Sequence, residues 1–219
     1  MPLSSPKPSP EAPPRVLLIG CAALTREITA LAKLNGWSHL ATEWLPAALH
    51  NRPEEIPAAV AQRLDAAGDQ YDEILVAYAD CGTGGRLDEI LDPRGIRRLP
   101  GAHCYSFFAG SGVFDALQEE ELGSFYLTDF LVRNFDRLVV RGLGLDRHPE
   151  LRSSYFGNYR RVVYLAQTRS EALLGQARDC AERLELEFEH RFTGLEPLGF
   201  ALGMEGSGPR GPGEKTWSG

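Results

Sequence analysis

The chain has 219 residues, 43% of them hydrophobic and 24% charged, with a net charge of −7. That length is enough for one large α/β core or two small ones. The acidic balance excludes a general nucleic-acid binder, which needs a basic face. No apolar run approaches the roughly 20 residues of a membrane span, and the N-terminus lacks the apolar centre of a signal peptide, so the expected compartment is the cytoplasm.

Residues 1–14 are rich in Pro and Ser and read as a disordered leader. Arg15 to Gly20 is a short apolar strand, and Ala22 to Asn35 fits an amphipathic helix stopped at Gly36. His39 to Leu45 reads as a second strand, followed by an irregular loop through His50 and Asn51. Glu54 to Ala67 carries Ile56, Val60 and Leu64 at helical spacing. Glu73 to Ala79 is the clearest buried strand. It runs into Asp80-Cys81-Gly82-Thr83-Gly84-Gly85, and Arg86 to Leu91 follows as a helix. Ile96 to Leu99 is a short strand leading into the turn at Gly101–Cys104. The middle segment reads as mostly helical, with aromatic and aliphatic residues of Phe125 to Val140 at 3–4 spacing and another helix over Pro149 to Tyr159. Arg161 to Ala166 is a strand, Ser170 caps a helix reaching Leu184, and Glu187 to Phe192 is an edge-like strand. The end from residue 203 is Gly- and Pro-rich and reads as a flexible tail. Strands alternating with helices imply right-handed βαβ crossovers. The expectation is one α/β domain over 15–202, a Rossmann-like parallel sheet flanked by helices, with a helical insertion.

Three of the four cysteines sit just past expected strand ends: Cys21, Cys81 and Cys104. Ligands of open parallel sheets bind outside the carboxyl ends of the strands, where residues distant in sequence meet. In a reducing cytosol, clustered thiols bind metal or do chemistry more often than they form disulfides. There is no CxxC pair, so the fold itself must assemble any thiol site. His50, in the loop after the second strand, faces the same edge and is a fourth candidate ligand or an acid/base. His103 is an outer partner or proton carrier beside Cys104, since adjacent residues point apart. Asp80 is a second-shell carboxylate or a base. Gly82, Thr83, Gly84 and Gly85 offer backbone N–H groups to a bound anion or cofactor, although the segment matches neither GxGxxG nor GxxxxGK[ST]. Asp129 and Arg133, four apart on an expected helix, read as a surface pair. Gln167 and Thr168 end a strand near the ligand edge. Cys180 reads as core, and His39, His148 and His190 as surface or capping groups.

The motifs YADCGTGGRLD, LPGAHCYSFFAG, FYLTDFLVRNFD, GLGLDRHPELRSSYFGNY and VYLAQT, together with IGCAAL and LPAALHNRPEEI, resemble the family catalogued as domain of unknown function 1638. Genes of that family often lie near corrinoid-dependent methyltransferase systems. By association, the resemblance implies an accessory or metal-centred role in one-carbon and methylamine metabolism, with a corrinoid or methyltransferase protein as partner. The chain carries no DxHxxG corrinoid-binding pattern.

The leading expectation is therefore a metal-binding protein acting on a small-molecule ligand. Cys21, Cys81 and Cys104 hold zinc or an iron–sulfur cluster, with His50 or an open position as the fourth site. The alternatives are a metal-free enzyme with Cys81 as nucleophile and His103 or His50 as base, and a non-catalytic adaptor or chaperone.

Overall fold

The computed structural model describes residues 14–203. The expected tail after residue 203, and all but the last residue of the expected leader, lie outside the described residues.

Four parallel strands form a first sheet: β1 (Val16–Cys21), β2 (Leu40–Leu45), β3 (Glu73–Ala77) and β4 (Arg97–Arg98), in the order β2-β1-β3-β4. β1 is central, and its Leu17, Leu18 and Ile19 are almost wholly buried, as a strand covered on both faces requires. At its end Gly20 is paired with Trp44 and Ala77. A Cβ on Gly20 would stand 3.1 Å from the Ala77 methyl and 3.1 Å from the Trp44 ring, so glycine lets the strands close up just before Cys21.

Three more parallel strands form a second sheet: β5 (Ser124–Thr128), β6 (Arg161–Ala166) and β7 (Glu187–Phe192), in the order β5-β6-β7. The parallel α/β architecture is thus the expected one, with its strands divided between two sheets. The difference lies in the stretch from Phe125, where helix was expected. Ser124–Thr128 is extended and pairs with β6, Phe125 opposite Val162 and Leu127 opposite Tyr164. A short apolar run satisfies helical and extended spacing equally, and the aromatic residues tip it toward the pleated surface. Alternation then points Tyr126 to one core and Leu127 to another.

The helices are α1 (Thr25–Leu34), α2 (Ile56–Ala67), α3 (Arg86–Leu91), α4 (Tyr105–Ala109), α5 (Ser111–Glu120), α6 (Asp129–Arg133), α7 (Leu151–Phe156), α8 (Glu171–Leu184) and α9 (Glu196–Ala201). Thr128 and Ser170 cap α6 and α8, accepting N–H bonds from Leu131 and Leu173. A π-helical turn, Asp136–Val140, follows α6. Such turns are rare and are found often at functional positions.

Three apolar cores make the layers. α2 and α3 cover the outer face of the first sheet, meeting Leu17, Ile19 and Val76. α6 and α8 cover the outer face of the second, meeting Leu127, Val162 and Tyr164. Between the sheets, α1, α4, α5 and α9 fill a shared core with Leu18 and Ala77 on one side and Tyr126, Val163 and Leu165 on the other. Phe107 and Phe108 sit at its centre, 3% and 2% exposed. Burying one such side chain is worth about 1.5–3 kcal/mol, so this layer joins the two sheets firmly. Among the described residues no helix is long and apolar enough to cross a membrane.

Candidate functional site

The carboxyl ends of β1, β2, β3 and β5 border one cleft. Its inner cavity has a volume of about 120 Å³, room for several waters or a small ligand. Cys21, Cys81 and Cys104 all line it, with His50, Asn51, Tyr78 and Thr128. Apolar side chains make up most of the remaining wall. They include Phe108 from α4, Phe130 and Leu131 from α6, and Leu138 and Val139 from the π-helical turn. No Asp, Glu, Lys or Arg lines it among the described residues. A second, wider cavity of about 390 Å³ shares His50, Cys81, Cys104, Tyr105 and Phe125 with the first and extends past His103, Gln118 and Tyr159.

Each thiol arrives by a different device. Cys21 ends β1, and its Sγ accepts the Ala23 N–H at 3.5 Å, capping the turn that opens α1. Burial pushes this thiol's pKa up. Cys81 lies four residues beyond β3 with φ 49, a left-handed backbone that a non-glycine residue seldom adopts. Two bonds pin that geometry to the loop after β4: Asp80 N–H to the Gly101 carbonyl at 3.0 Å and Cys81 N–H to the Ala102 carbonyl at 2.8 Å. Arg98 braces the same loop, holding Asp88 and donating to the Leu99 and Gly101 carbonyls. Cys104 follows at the start of α4. The zipped loops set Cys81 against Cys104, and the Cys104 thiol donates to Cys81. That bond lowers the Cys81 pKa and raises that of Cys104, which makes Cys81 the more acidic thiol of the pair.

His50 sits on the short helical segment Ala47–Asn51 after β2, at the boundary of the two cavities. Protein walls surround it although solvent reaches it. Burial, and then the nearby His103, lower its pKa. His103 is exposed and lines only the outer cavity. Asn51 Nδ2 donates to the Leu138 carbonyl at 3.3 Å, tying the loop after β2 to the π-helical turn. Among the described residues, no three His, Cys, Asp or Glu side chains stand close enough together to hold one metal ion.

Asp80 and the glycine loop lie differently from a base beside an anion cradle. The Asp80 carboxylate accepts from Thr83 Oγ1 at 2.9 Å and from the N–H groups of Gly82, Gly84 and Gly85 at 3.2, 3.1 and 2.8 Å. The donors that an anion would need are engaged within the loop. The same bonds, that from Gly85 first, hold the Asp80 pKa down to about 2. Asp80 thus organises the turn that aims Cys81. Its folded pKa lies below the ordinary 3.8, so its stabilisation is full above that value and vanishes as pH falls through about 2. With allowance for its partial exposure, Asp80→Ala is expected to lower stability by about 1–2 kcal/mol at pH 7. The gap from the parent should narrow steadily below pH 4, checked by urea unfolding across that range.

Sequence reasoning missed two features. Tyr78, one residue past β3, is 3% exposed, and its hydroxyl lies against the Cys21 sulfur, a weak acceptor, with no nitrogen or oxygen partner. The only sequence trace is an aromatic between two alanines at a strand end. The second feature corrects an expectation: Asp129 is fully buried and not part of a surface pair. Its Oδ1 accepts from Tyr164 Oη at 2.7 Å and the Gln167 N–H at 3.0 Å. Its Oδ2 accepts from Thr168 Oγ1 at 2.5 Å and pairs with Arg133 at 3.6 Å. Gln167 Oε1 takes the Asp129 N–H in return at 2.8 Å. Gln167 and Thr168 therefore bind the ends of β5 and β6 together. Glu27, 5% exposed, stands near Asp129 and Arg133 with one carboxyl oxygen unpaired, and burial raises its pKa. Cys180, expected in the core, is buried on α8 in the outer core of the second sheet.

No curated protein and no solved structure matches the chain. A family model matches residues 44–201, a span that takes in His50, Cys81, Cys104 and the whole second sheet but begins after β1, leaving out the IGCAAL segment with Cys21. That family is described as "Protein of unknown function (DUF1638)", and the chain belongs to it.

Proposed function

We propose that the cleft is the working site of a metal-binding protein, with Cys21, Cys81 and Cys104 as the ligands of a metal centre. The observation that carries this reading is the convergence of three thiols, from the ends of three strands, on one apolar cavity. Thiolates are soft ligands that select zinc, copper(I) or iron–sulfur clusters over hard cations. A single zinc would need the three thiols to close on one point, and no such group is found among the described residues. A cluster attaches its thiolates to different irons and so holds them apart, and these thiols ring a cavity without closing on one point. When bound, such a centre supplies an open metal position for a ligand atom, or a site for an electron. The protein's part is to hold the three thiols, keep water out with apolar walls, and place His50 at the entrance for proton exchange. The association carried by the family resemblance makes methyl transfer within one-carbon metabolism the first chemistry to assay, with a corrinoid or methyltransferase protein as partner.

Anaerobically purified protein is expected to contain iron with a visible cluster absorption, or else zinc, close to one centre per chain. Cys81→Ser should lose it. Full metal content in that variant would count against this ligand set.

Two observations favour a second reading, a metal-free thiol enzyme: the left-handed backbone of Cys81 and the thiol hydrogen bond from Cys104. Strained residues held by their surroundings cluster at active sites, and a paired thiolate is a ready nucleophile. This reading predicts no bound metal and alkylation of Cys81 much faster than of the other cysteines.

A further inference from the structure

We infer that Cys81 and Cys104 form a redox-active pair that exchanges with a small disulfide entering through the outer cavity and closes to a reversible Cys81–Cys104 bond. This goes beyond the metal reading of the cleft and stands apart from it, because the pair is defined by how two loops meet.

The four thiols are not equivalent. Cys81 and Cys104 line both cavities, whereas Cys21 lines only the inner one. The Cys21 sulfur is also engaged at the end of β1, accepting the Ala23 N–H at 3.5 Å. Cys180 is 4% exposed and lies away on α8. Backbone bonds bring the remaining two together. The N–H groups of Asp80 and Cys81 donate to the carbonyls of Gly101 and Ala102, so the loops after β3 and β4 run side by side as far as Cys104. Both cysteine side chains pack against the core between the sheets, and the Cys104 thiol donates to the Cys81 sulfur. A disulfide sets its sulfurs about 2 Å apart, so thiols already in hydrogen-bond contact need to close by only about 1–2 Å, which side-chain rotation supplies. Among the described residues no third ligand-type side chain closes on the same point. Two thiols in contact, with a third held off, is the arrangement of an exchanging dithiol.

The outer cavity, about 390 Å³, is large enough for a small organic disulfide. One protein thiol attacks it: a new S–S bond forms to one half, the original S–S bond breaks, and the other half leaves as a thiol with the attacking group's proton. The second protein thiol then attacks the mixed disulfide and releases the remaining half as a thiol. Two electrons pass from the protein pair to the small disulfide, and excess small thiol reverses both steps. The bond formed lies where the two cavities join, so it withdraws two of the three thiols from anything bound in the inner one.

The test uses full-length protein, reduced, freed of metal with a chelator and mixed anaerobically with 2-hydroxyethyl disulfide at neutral pH. Products are read by peptide mass spectrometry after an acid quench. The expected product is lighter by two hydrogens, with Cys81 linked to Cys104 and with Cys21 and Cys180 free. It should exceed any other pairing by about ten-fold or more. The mixed disulfide should stay below about a tenth of the modified protein, because the second step is intramolecular. In Cys104→Ser it should accumulate on Cys81 instead, about ten-fold above the parent level. Excess 2-mercaptoethanol should restore both thiols. The inference is overturned if a bond to Cys21 predominates, or if the parent accumulates as much mixed disulfide as Cys104→Ser. It is also overturned if native protein forms no disulfide under conditions in which the urea-unfolded chain does. The parent protein decides the matter by itself, whatever the variant's stability. Metal is absent throughout, so failure here is distinct from failure to find a metal centre.

Discussion

Asp129→Ala is expected to destabilise the protein by about 3–5 kcal/mol, the cost of removing one partner from a buried, charged hydrogen-bond network. The carboxylate is wholly inaccessible and accepts from Tyr164, the Gln167 N–H and Thr168 while pairing with Arg133. Its loss strands a buried tyrosine hydroxyl, a backbone N–H and a largely buried guanidinium together. Asp129→Asn keeps an acceptor for Tyr164 and Gln167 but leaves Arg133 without its negative partner, so its loss should be smaller, about half as large. Thr168→Ala removes one donor from the cluster and should cost about 1 kcal/mol. Urea unfolding at pH 7 ranks the three. Alanine at 129 within 1 kcal/mol of the parent would mean that the network does not hold the ends of β5 and β6. The consequence reaches the cleft, because α6 begins at Asp129 and supplies Phe130 and Leu131 to the cavity wall.

Metal content is expected to separate the cysteines into two groups. Cys21→Ser, Cys81→Ser and Cys104→Ser should each lose most of the bound metal, at least ten-fold in affinity, since a hydroxyl does not replace a thiolate toward a soft metal. Cys180→Ala should retain it, because that side chain is buried on α8 in the outer core of the second sheet. Near-infrared and visible absorption after anaerobic reconstitution with iron and sulfide, alongside zinc titration, checks the panel. Retention in the Cys21 variant alone would reduce the centre to the Cys81–Cys104 pair. Loss in the Cys180 variant would point to a general effect on folding.

Much of the first sheet was legible in the chain because its signals are local. VLLIG and EILVA are continuous apolar runs of a doubly covered strand, and Gly36, with φ +66, stops the first helix where expected. The placing of Cys21, Cys81 and Cys104 around one space was legible too, since each follows a strand of a parallel sheet and strand ends share an edge. The second sheet was only half legible. β6 and β7 stand out, but β5 is five residues of aromatic and aliphatic side chains whose spacing does not distinguish strand from helix. Asp129 looked like half of a surface pair because i, i+4 spacing reports proximity and not depth. Its burial depends on Tyr164, Gln167 and Thr168, which lie 35, 38 and 39 residues away. The role of Asp80 was hidden for the opposite reason. A carboxylate before a glycine-rich turn suggests chemistry, yet its partners are the turn's own amides, a local capture typical of Asp.

X-ray absorption at the metal edge of anaerobically reconstituted protein tests most directly whether three thiols make one centre. The expected spectrum has a sulfur shell at about 2.3 Å that includes three protein thiolates and that loses sulfur in Cys104→Ser. A shell made only of nitrogen and oxygen, or a protein that retains neither iron nor zinc after reconstitution, would contradict it.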